Sequence, residues 1–257
     1  MKKLIYIIFC LLPGPILAQP GGNADRLFSE AEELLTTYRD GEAMMKYEAA
    51  VTLNPGHYQS LCQLVVLKSR IAGRTPDEAK KINYYHEAKD YAMKAYELEP
   101  NSAQSNYIMA LGIGGVALVS SARQSLAYSF EMKDYLDKAL ELDPKHADSW
   151  HLLGRWHYKI ANLRLSELTA ANLFFGGIPE GASNEEAIKC LQKAIEYKPT
   201  DIIYYYDLAR AYENIKDLVS CKSVLRTALE IEVTTSDELE IQRRCRFLLS
   251  TYEGRYQ

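Results

Sequence analysis

Four segments of the chain close in the same way, with an alanine, four intervening residues and a proline. They are Ala50–Pro55, Ala95–Pro100, Ala139–Pro144 and Ala194–Pro199. Each is helical and polar in character, as in Ala139-Leu-Glu-Leu-Asp-Pro144. Proline cannot continue such a helix, because it has no N–H to donate and its ring clashes with the preceding turn. Each proline therefore ends a unit. A recurring helical unit of this size is a helix pair that cannot bury its apolar face alone, so it stacks on its neighbours around one shared core.

With the register set by the prolines, a tetratricopeptide pattern of about 34 residues per unit fits the chain. A first unit over 24–57 places Ala43, Tyr47, Ala50 and Pro55 on its second helix. The fourth places Trp150, Leu153 and Gly154 on its first helix and, after an insertion, Ala187, Leu191, Ala194 and Pro199 on its second. A fifth unit starts at Ile202, with Leu208, Ala209, Tyr212 and Ala228 in register. Small residues recur where paired helices cross closely, and larger apolar ones fill the gaps. The prolines are 45, 44 and 55 residues apart, so the middle units are enlarged. In the second, Thr75-Pro76-Asp77-Glu78 reads as an N-cap, a first-turn proline and a capping-box glutamate, predicting a long helix over 76–98. Gly112, Gly114 and Gly115 predict a tight crossing or a helix break, and they lack the lysine and strand of a phosphate loop. An insertion over 159–182 carries Leu173-Phe174-Phe175-Gly176-Gly177-Ile178-Pro179. Ser183 with Glu186 restarts a helix through another capping box, and Thr235 with Glu238 opens the last helix, which closes the exposed end of the stack. The expected fold is all-α: a tetratricopeptide-like right-handed solenoid of about five helix pairs, with enlarged middle repeats and a C-terminal capping helix.

The N-terminus is of a different kind. Met1-Lys2-Lys3 precedes an apolar run from Leu4 to Leu12, a Pro13-Gly14-Pro15 break and a small-residue end at Ala18. This is the form of a secretory signal peptide, expected to be cleaved after Ala18. The unbroken run is too short to span a bilayer, which takes about 20 residues. Residues 1–18 are thus read as the signal peptide and 19–257 as the helical domain, periplasmic or secreted. Cleavage removes two lysines and no acid, moving the net charge from −4 to −6. Such a surface disfavours nucleic acid, which calls for a basic stripe. Cys10 follows the bulky Phe9, where a lipoprotein signal requires a small residue. The other four cysteines, Cys62, Cys190, Cys221 and Cys245, are widely and irregularly spaced, which argues against a zinc site. They are read as apolar fillers, with a Cys221–Cys245 pair as the alternative in an oxidising compartment.

In a tetratricopeptide stack, four positions on each first helix face the concave groove. In the fourth unit they are Asp148, His151, Arg155 and Tyr158, and in the fifth Ile203, Tyr206, Arg210 and Glu213. Arg155 and Arg210 then occupy equivalent places on neighbouring helices, where two guanidinium groups can grip a carboxylate or phosphate. Tyr158, Tyr206 and His151 add apolar faces with polar tips. The alternative is that the arginines pair with Asp148, Asp207 or Glu213 and only stabilise the stack. The third unit offers Gln104, Tyr107, Leu111 and Gly114, and the second Gln59, Cys62, Val66 and Ser69, so the groove is expected to grade from mostly uncharged to anion-binding. Trp150 and Trp156 are expected in the core, and Phe174 and Phe175 folded back on their own helix pair.

Little points to catalysis. His146, His151 and His157 are five and six residues apart, so they do not share a helix face as a metal pair would. No nucleophile motif is present, and Asp237-Glu238 is explained by capping and the helix dipole. No metal or cofactor is expected.

The segment Leu152-Leu153-Gly154-Arg155-Trp156-His157-Tyr158, the insertion after it and the late Thr235-Ser236-Asp237-Glu238-Leu239-Glu240-Ile241-Gln242 together resemble the regulator of microtubule dynamics family over about residues 25–252. That resemblance implies a tetratricopeptide-like helical domain. Members of the family are linked to microtubules and, in one branch, to phospholipid binding at organelle contacts. An exported chain meets no cytoplasmic microtubules, so only the fold and a capacity for lipid are carried over. The expected function is a non-catalytic exported scaffold that holds a protein or peptide partner in a concave groove. The alternative is a carrier of a lipid or another anionic amphiphile, which an apolar tunnel closed by the 159–182 insertion would favour. Once the leader is cleaved, no stable membrane span is expected.

Overall fold

The computed structural model describes residues 20–178 and 181–254, so the signal peptide expected at 1–18, with Cys10, lies outside the described residues. Among those residues there are twelve helices and no strand. Five helix pairs follow one another: α1 (Pro20–Thr36) with α2 (Asp40–Leu53), α3 (Tyr58–Arg74) with α4 (Glu78–Leu98), α5 (Ala103–Leu118) with α6 (Ala122–Leu142), α7 (Ala147–Ala161) with α9 (Asn184–Tyr197), and α10 (Ile202–Asn214) with α11 (Leu218–Leu229). Helix α8 (Leu165–Phe175) is inserted in the fourth pair, and α12 (Ser236–Glu253) follows the last.

The punctuation works as the prolines require. Asn54, Glu99, Asp143 and Lys198, each directly before a proline, cap α2, α4, α6 and α9 with φ between −135° and −145° and ψ between 65° and 97°. The proline ring disfavours the helical region for the residue before it, which turns the chain out of the helix there. Each cap N–H still donates to the carbonyl of the recurring alanine: Ala50, Ala95, Ala139 or Ala194. All four alanines are fully buried, because the partner helix crosses at that point.

A second punctuation mark follows two residues after each proline, at His57, Ser102, His146 and Asp201, where the next helix begins. His57 and His146 are N-caps of one design: each Nδ1 accepts a backbone N–H three residues on, from Ser60 and Ser149, at 3.2 Å. Their Nε2 atoms reach Asp25 and Gln104, each at 3.0 Å, tying neighbouring pairs together.

The middle units are enlarged through their second helices, since α4 and α6 have 21 residues each where α2 and α9 have 14. Gly112 and Gly115 mark a tight crossing in an unbroken α5: a Cβ at Gly112 would lie 3.1 Å from the Lys89 Cα, and one at Gly115 2.6 Å from the Tyr85 ring. Two expected caps differ. Helix α4 is capped by Asp77, which accepts from the Lys80 N–H at 3.1 Å, while the Thr75 hydroxyl donates back to the Ile71 carbonyl at 2.8 Å and finishes α3. At α9, Ser183 accepts from the Glu186 N–H, but the Glu186 carboxylate turns to Lys189 at 2.6 Å, leaving half a box. The Thr235–Glu238 box is complete.

The insertion folds as α8 on α6. Phe175 packs against Phe130 with ring centroids 5.3 Å apart, while Phe174 remains 53% exposed under the Arg123 guanidinium. Trp156 is buried and donates from Nε1 to the Ser129 carbonyl at 2.8 Å; Trp150 is half-buried beneath Lys193. All four described cysteines are free and buried, and Cys221 and Cys245 share the core of the last pair.

Candidate functional site

The first helices of pairs two to five, α3, α5, α7 and α10, line one groove of about 610 Å³, and α12 lies along its remaining side. All five candidate residues, His151, Arg155, Tyr158, Tyr206 and Arg210, face it. Asp148, Ile203, Tyr107, Leu111, Gly114, Val66 and Ser69 join them as the repeat register requires. The remaining four positions are diverted. Cys62 is buried in the main core, Gln104 holds His146, Glu213 pairs with Arg210, and Gln59 does not reach the groove.

On α7 and α10 the polar side chains form one network. His151 Nε2 and Asp207 Oδ2 are 2.7 Å apart, and the His151 ring packs on Tyr204 with centroids 4.6 Å apart. Tyr204 donates its hydroxyl to Asp148, which Lys198 also approaches at 3.6 Å. Burial is the largest influence on the Asp207 carboxyl and would raise its pKa. The His151 hydrogen bond and the charges of Arg155, His151 and Arg210 outweigh it, so the carboxyl titrates below its ordinary value. Burial, then Asp148, pushes the Tyr204 hydroxyl far above its ordinary value.

The two arginines are held differently. Arg210 Nη1 sits 2.7 Å from Glu213 Oε2, a close pair along one helix. Arg155 approaches Asp207 only to 3.7 Å, makes no hydrogen bond to the described residues and is 49% exposed. The hydroxyls of Tyr158 and Tyr206 likewise have no hydrogen-bond partner among the described residues. One wall of the groove thus presents Arg155 and two unpartnered tyrosine hydroxyls beside carboxylates, Asp148 and Asp207, that Tyr204, Lys198 and His151 already engage.

The opposite wall was not legible from the repeat register. Arg70 and Arg74 of α3 face the groove, so the second unit is not uncharged as expected. They meet the starts of α12 and α2: Arg70 Nε lies 3.4 Å from Asp237 Oδ2 of α12, and Arg74 Nη2 lies 2.5 Å from Asp40 Oδ2 of α2. The Ser236 hydroxyl donates to the other Asp40 oxygen at 2.7 Å, joining residues 196 positions apart. The solenoid therefore closes on itself through α12. Among the described residues the insertion does not close it: α8 packs on α6, and of the insertion only Lys159 and Asn162, at the end of α7, line the groove.

Lys159 has its own structural task. Together with Arg164 it neutralises Glu167, which is buried; burial alone would raise that carboxyl, but these hydrogen bonds bring it down to about 2. Among the described residues no group of three or more His, Cys, Asp or Glu side chains is placed to hold a metal ion. No helix among them is long and apolar enough to cross a membrane.

The family model described as regulator of microtubule dynamics protein 1-3 matches residues 27–253, nearly all of the helical array. The chain belongs to this family. No curated protein matches it individually. Among solved structures, it is similar to TTC0263, a thermophilic tetratricopeptide protein of Thermus thermophilus, at 14% identity and a TM-score of 0.63, with 88% of this chain and 98% of the other covered. PilF of Pseudomonas aeruginosa is similar at 10% identity and a TM-score of 0.50, covering 91% and 87% respectively. At these identities the likeness is one of fold: a tetratricopeptide-type helical solenoid.

Proposed function

We propose that the protein is an exported, non-catalytic binding scaffold whose groove takes an acidic segment of a protein or peptide partner. The observation that carries this reading is the α7–α10 wall, where a half-exposed, loosely paired Arg155 stands with the unpartnered hydroxyls of Tyr158 and Tyr206 and with Arg210. Donors left over where the neighbouring carboxylates Asp148 and Asp207 are already engaged suit a ligand rich in carboxylate oxygens, since charge-assisted bonds from arginine are the strong ones. The export in this proposal rests on the signal-peptide form of residues 1–18, and the N-terminal residue of the mature protein tests it, with Gln19 expected.

The binding test is an array of short peptides with acidic and neutral C-termini, probed with the native protein and with R155A/R210A. Acidic peptides should bind, and the double variant should weaken them by at least about tenfold, or about 1.4 kcal/mol. Equal capture by a variant that still melts cooperatively would end the reading.

A second reading, a carrier for a lipid or another anionic amphiphile, is favoured by the closure of the groove by α12 and by its mixed lining of Leu111, Leu152, Ile203 and Ile241. Gentle native mass spectrometry of protein purified from a bacterial periplasm separates the two. A retained mass matching a phospholipid or fatty acid supports the carrier, and an empty protein supports the scaffold.

A further inference from the structure

Helix α12 has two halves with different surroundings. From Ile241 onward its buried residues Ile241, Cys245, Leu248 and Leu249 belong to the core of the last helix pair. That half is an ordinary cap, which a solenoid needs to cover its final apolar face. The first turn leaves this core and reaches across the groove mouth to α2 and α3. There Ser236 bonds Asp40 at 2.7 Å, and Asp237 stands 3.4 Å from Arg70 and 4.0 Å from Arg74. Capping the stack needs none of these contacts.

Four α12 side chains, Asp237, Glu240, Ile241 and Arg244, face the groove. Their spacing of three, four and seven residues is that of a helix laid in a groove, which contacts it through one stripe. The stripe begins with two acids. Asp237 meets the α3 arginines, while Glu240 is held by Arg244 of its own helix at 3.0 Å.

We infer that the first turn of α12 is a plug that occupies, in cis, the Arg70–Arg74 end of the groove, and that the partner which displaces it is an acidic helical peptide of the same pattern. This rests on the scaffold reading above and names the partner's chemistry. The plug's contacts are individually weak, because its ion pairs are partly exposed: the Arg70 and Asp237 side chains are 41% and 25% accessible. Tethering makes up for this. A covalently attached segment acts at an effective concentration on the order of millimolar, so a free peptide at micromolar concentration competes poorly with it. Loosening the plug therefore exposes the arginines without altering them, and the capping box of Thr235 and Glu238 keeps α12 helical when Ser236 and Asp237 are changed.

The test is fluorescence anisotropy with a labelled peptide copying residues 233–243, titrated with the native protein, S236A/D237N and S236A/D237N/R70A/R74A, each checked for a cooperative melt. The plug-loosened protein should bind the peptide at least about tenfold more tightly than the native protein, and removing both arginines should abolish the gain. No gain on loosening the plug overturns the proposal, as does a gain that survives loss of Arg70 and Arg74. Adding R155A/R210A to the plug-loosened protein separates the two claims. Peptide binding that persists there upholds the plug and tells against the α7–α10 wall. A failed plug beside acidic-peptide capture that still depends on Arg155 and Arg210 leaves the scaffold reading standing alone.

Discussion

Gly154 lies against Leu191 so closely that a Cβ on the glycine would stand 2.7 Å from the Leu191 Cγ and 3.1 Å from the Ala187 carbonyl oxygen. The contact is the crossing point of α7 and α9, and it sets the rotation of α7 that turns Arg155, the next residue, into the groove. Both neighbours sit in the core, with Ala187 fully buried and Leu191 1% exposed, so neither can move aside freely. Gly154→Ala should therefore destabilise the protein by about 1–3 kcal/mol through overpacking. Gly41→Ala, where nothing lies within 4 Å, should be neutral or slightly stabilising, because alanine is the better helix former. Chemical denaturation of both variants checks the contrast, and equal midpoints would remove the close-crossing argument.

Lys68 offers a sharper case of pairing. Its ammonium group is 2.7 Å from Glu48 and 2.6 Å from Glu87, its side chain is 3% exposed, and the three residues belong to α3, α2 and α4. Burial would lower its pKa, but the two carboxylates outweigh burial and raise it. Removing one partner leaves the other, so Glu48→Gln or Glu87→Gln alone should cost about 1 kcal/mol. Removing both strands a buried charge and should cost about 3–5 kcal/mol, well beyond the sum of the singles. Lys68→Met should be nearly neutral, since the carboxylates it frees are partly exposed and keep their water. A double-mutant cycle in urea reads all three.

What could be read from the chain alone divides by the range of the cause. The unit ends were legible because proline acts on its immediate neighbour, and all four Ala-to-Pro segments close as read. All four α7 groove positions, and those of α10 except Glu213, followed from helix periodicity once the register was set. The His57 and His146 caps carry no ordinary sequence signal, because histidine is not among the usual N-cap residues, although both stand two places after a repeat proline. The α12 contact with Asp40 had no local signal. It arises from curvature accumulated over five helix pairs, which no sequence window contains, and it brought Arg70 and Arg74 into the groove from positions next to and beyond those the register assigned.

The capping role of His146 predicts a pH dependence with a definite sign. Its Nδ1 accepts both the Ser149 N–H and the Ser149 hydroxyl, which only a neutral ring can do, and burial lowers its pKa from the ordinary value of 6.5. His157 is lowered as well, by burial and then by Lys133. In both, the unfolded state takes up a proton before the folded state does. Stability contributed by the neutral rings is fully present above about pH 7 and is lost as pH falls through about 6.5 towards the lower folded values. Tm should therefore fall between pH 7.5 and 5.5. His146→Asn, which keeps a cap acceptor and does not titrate, should flatten part of that slope. A slope unchanged in His146→Asn and His157→Gln together would assign it to other groups.

The thiols give the last prediction. Cys62, Cys190 and Cys221 are pushed up to about 11 and Cys245 to about 12, in each case chiefly by burial, and all four are buried and free. Thiolate is the reactive species, so at pH 8 the native protein should resist iodoacetamide over hours. Unfolding in guanidinium should then expose four reactive thiols in the chain lacking residues 1–18. Cys221 and Cys245 are the informative pair, because both are fully buried in the core of the last helix pair and α12 carries one of them. Mass spectrometry counts the alkylated sites directly. Four support their role as apolar fillers, whereas protection of Cys221 and Cys245 alone would show that the two are linked and that α12 is fastened to the last helix pair covalently. Rapid labelling of native Cys245 would instead mean that the half of α12 treated as a fixed cap opens along with its first turn.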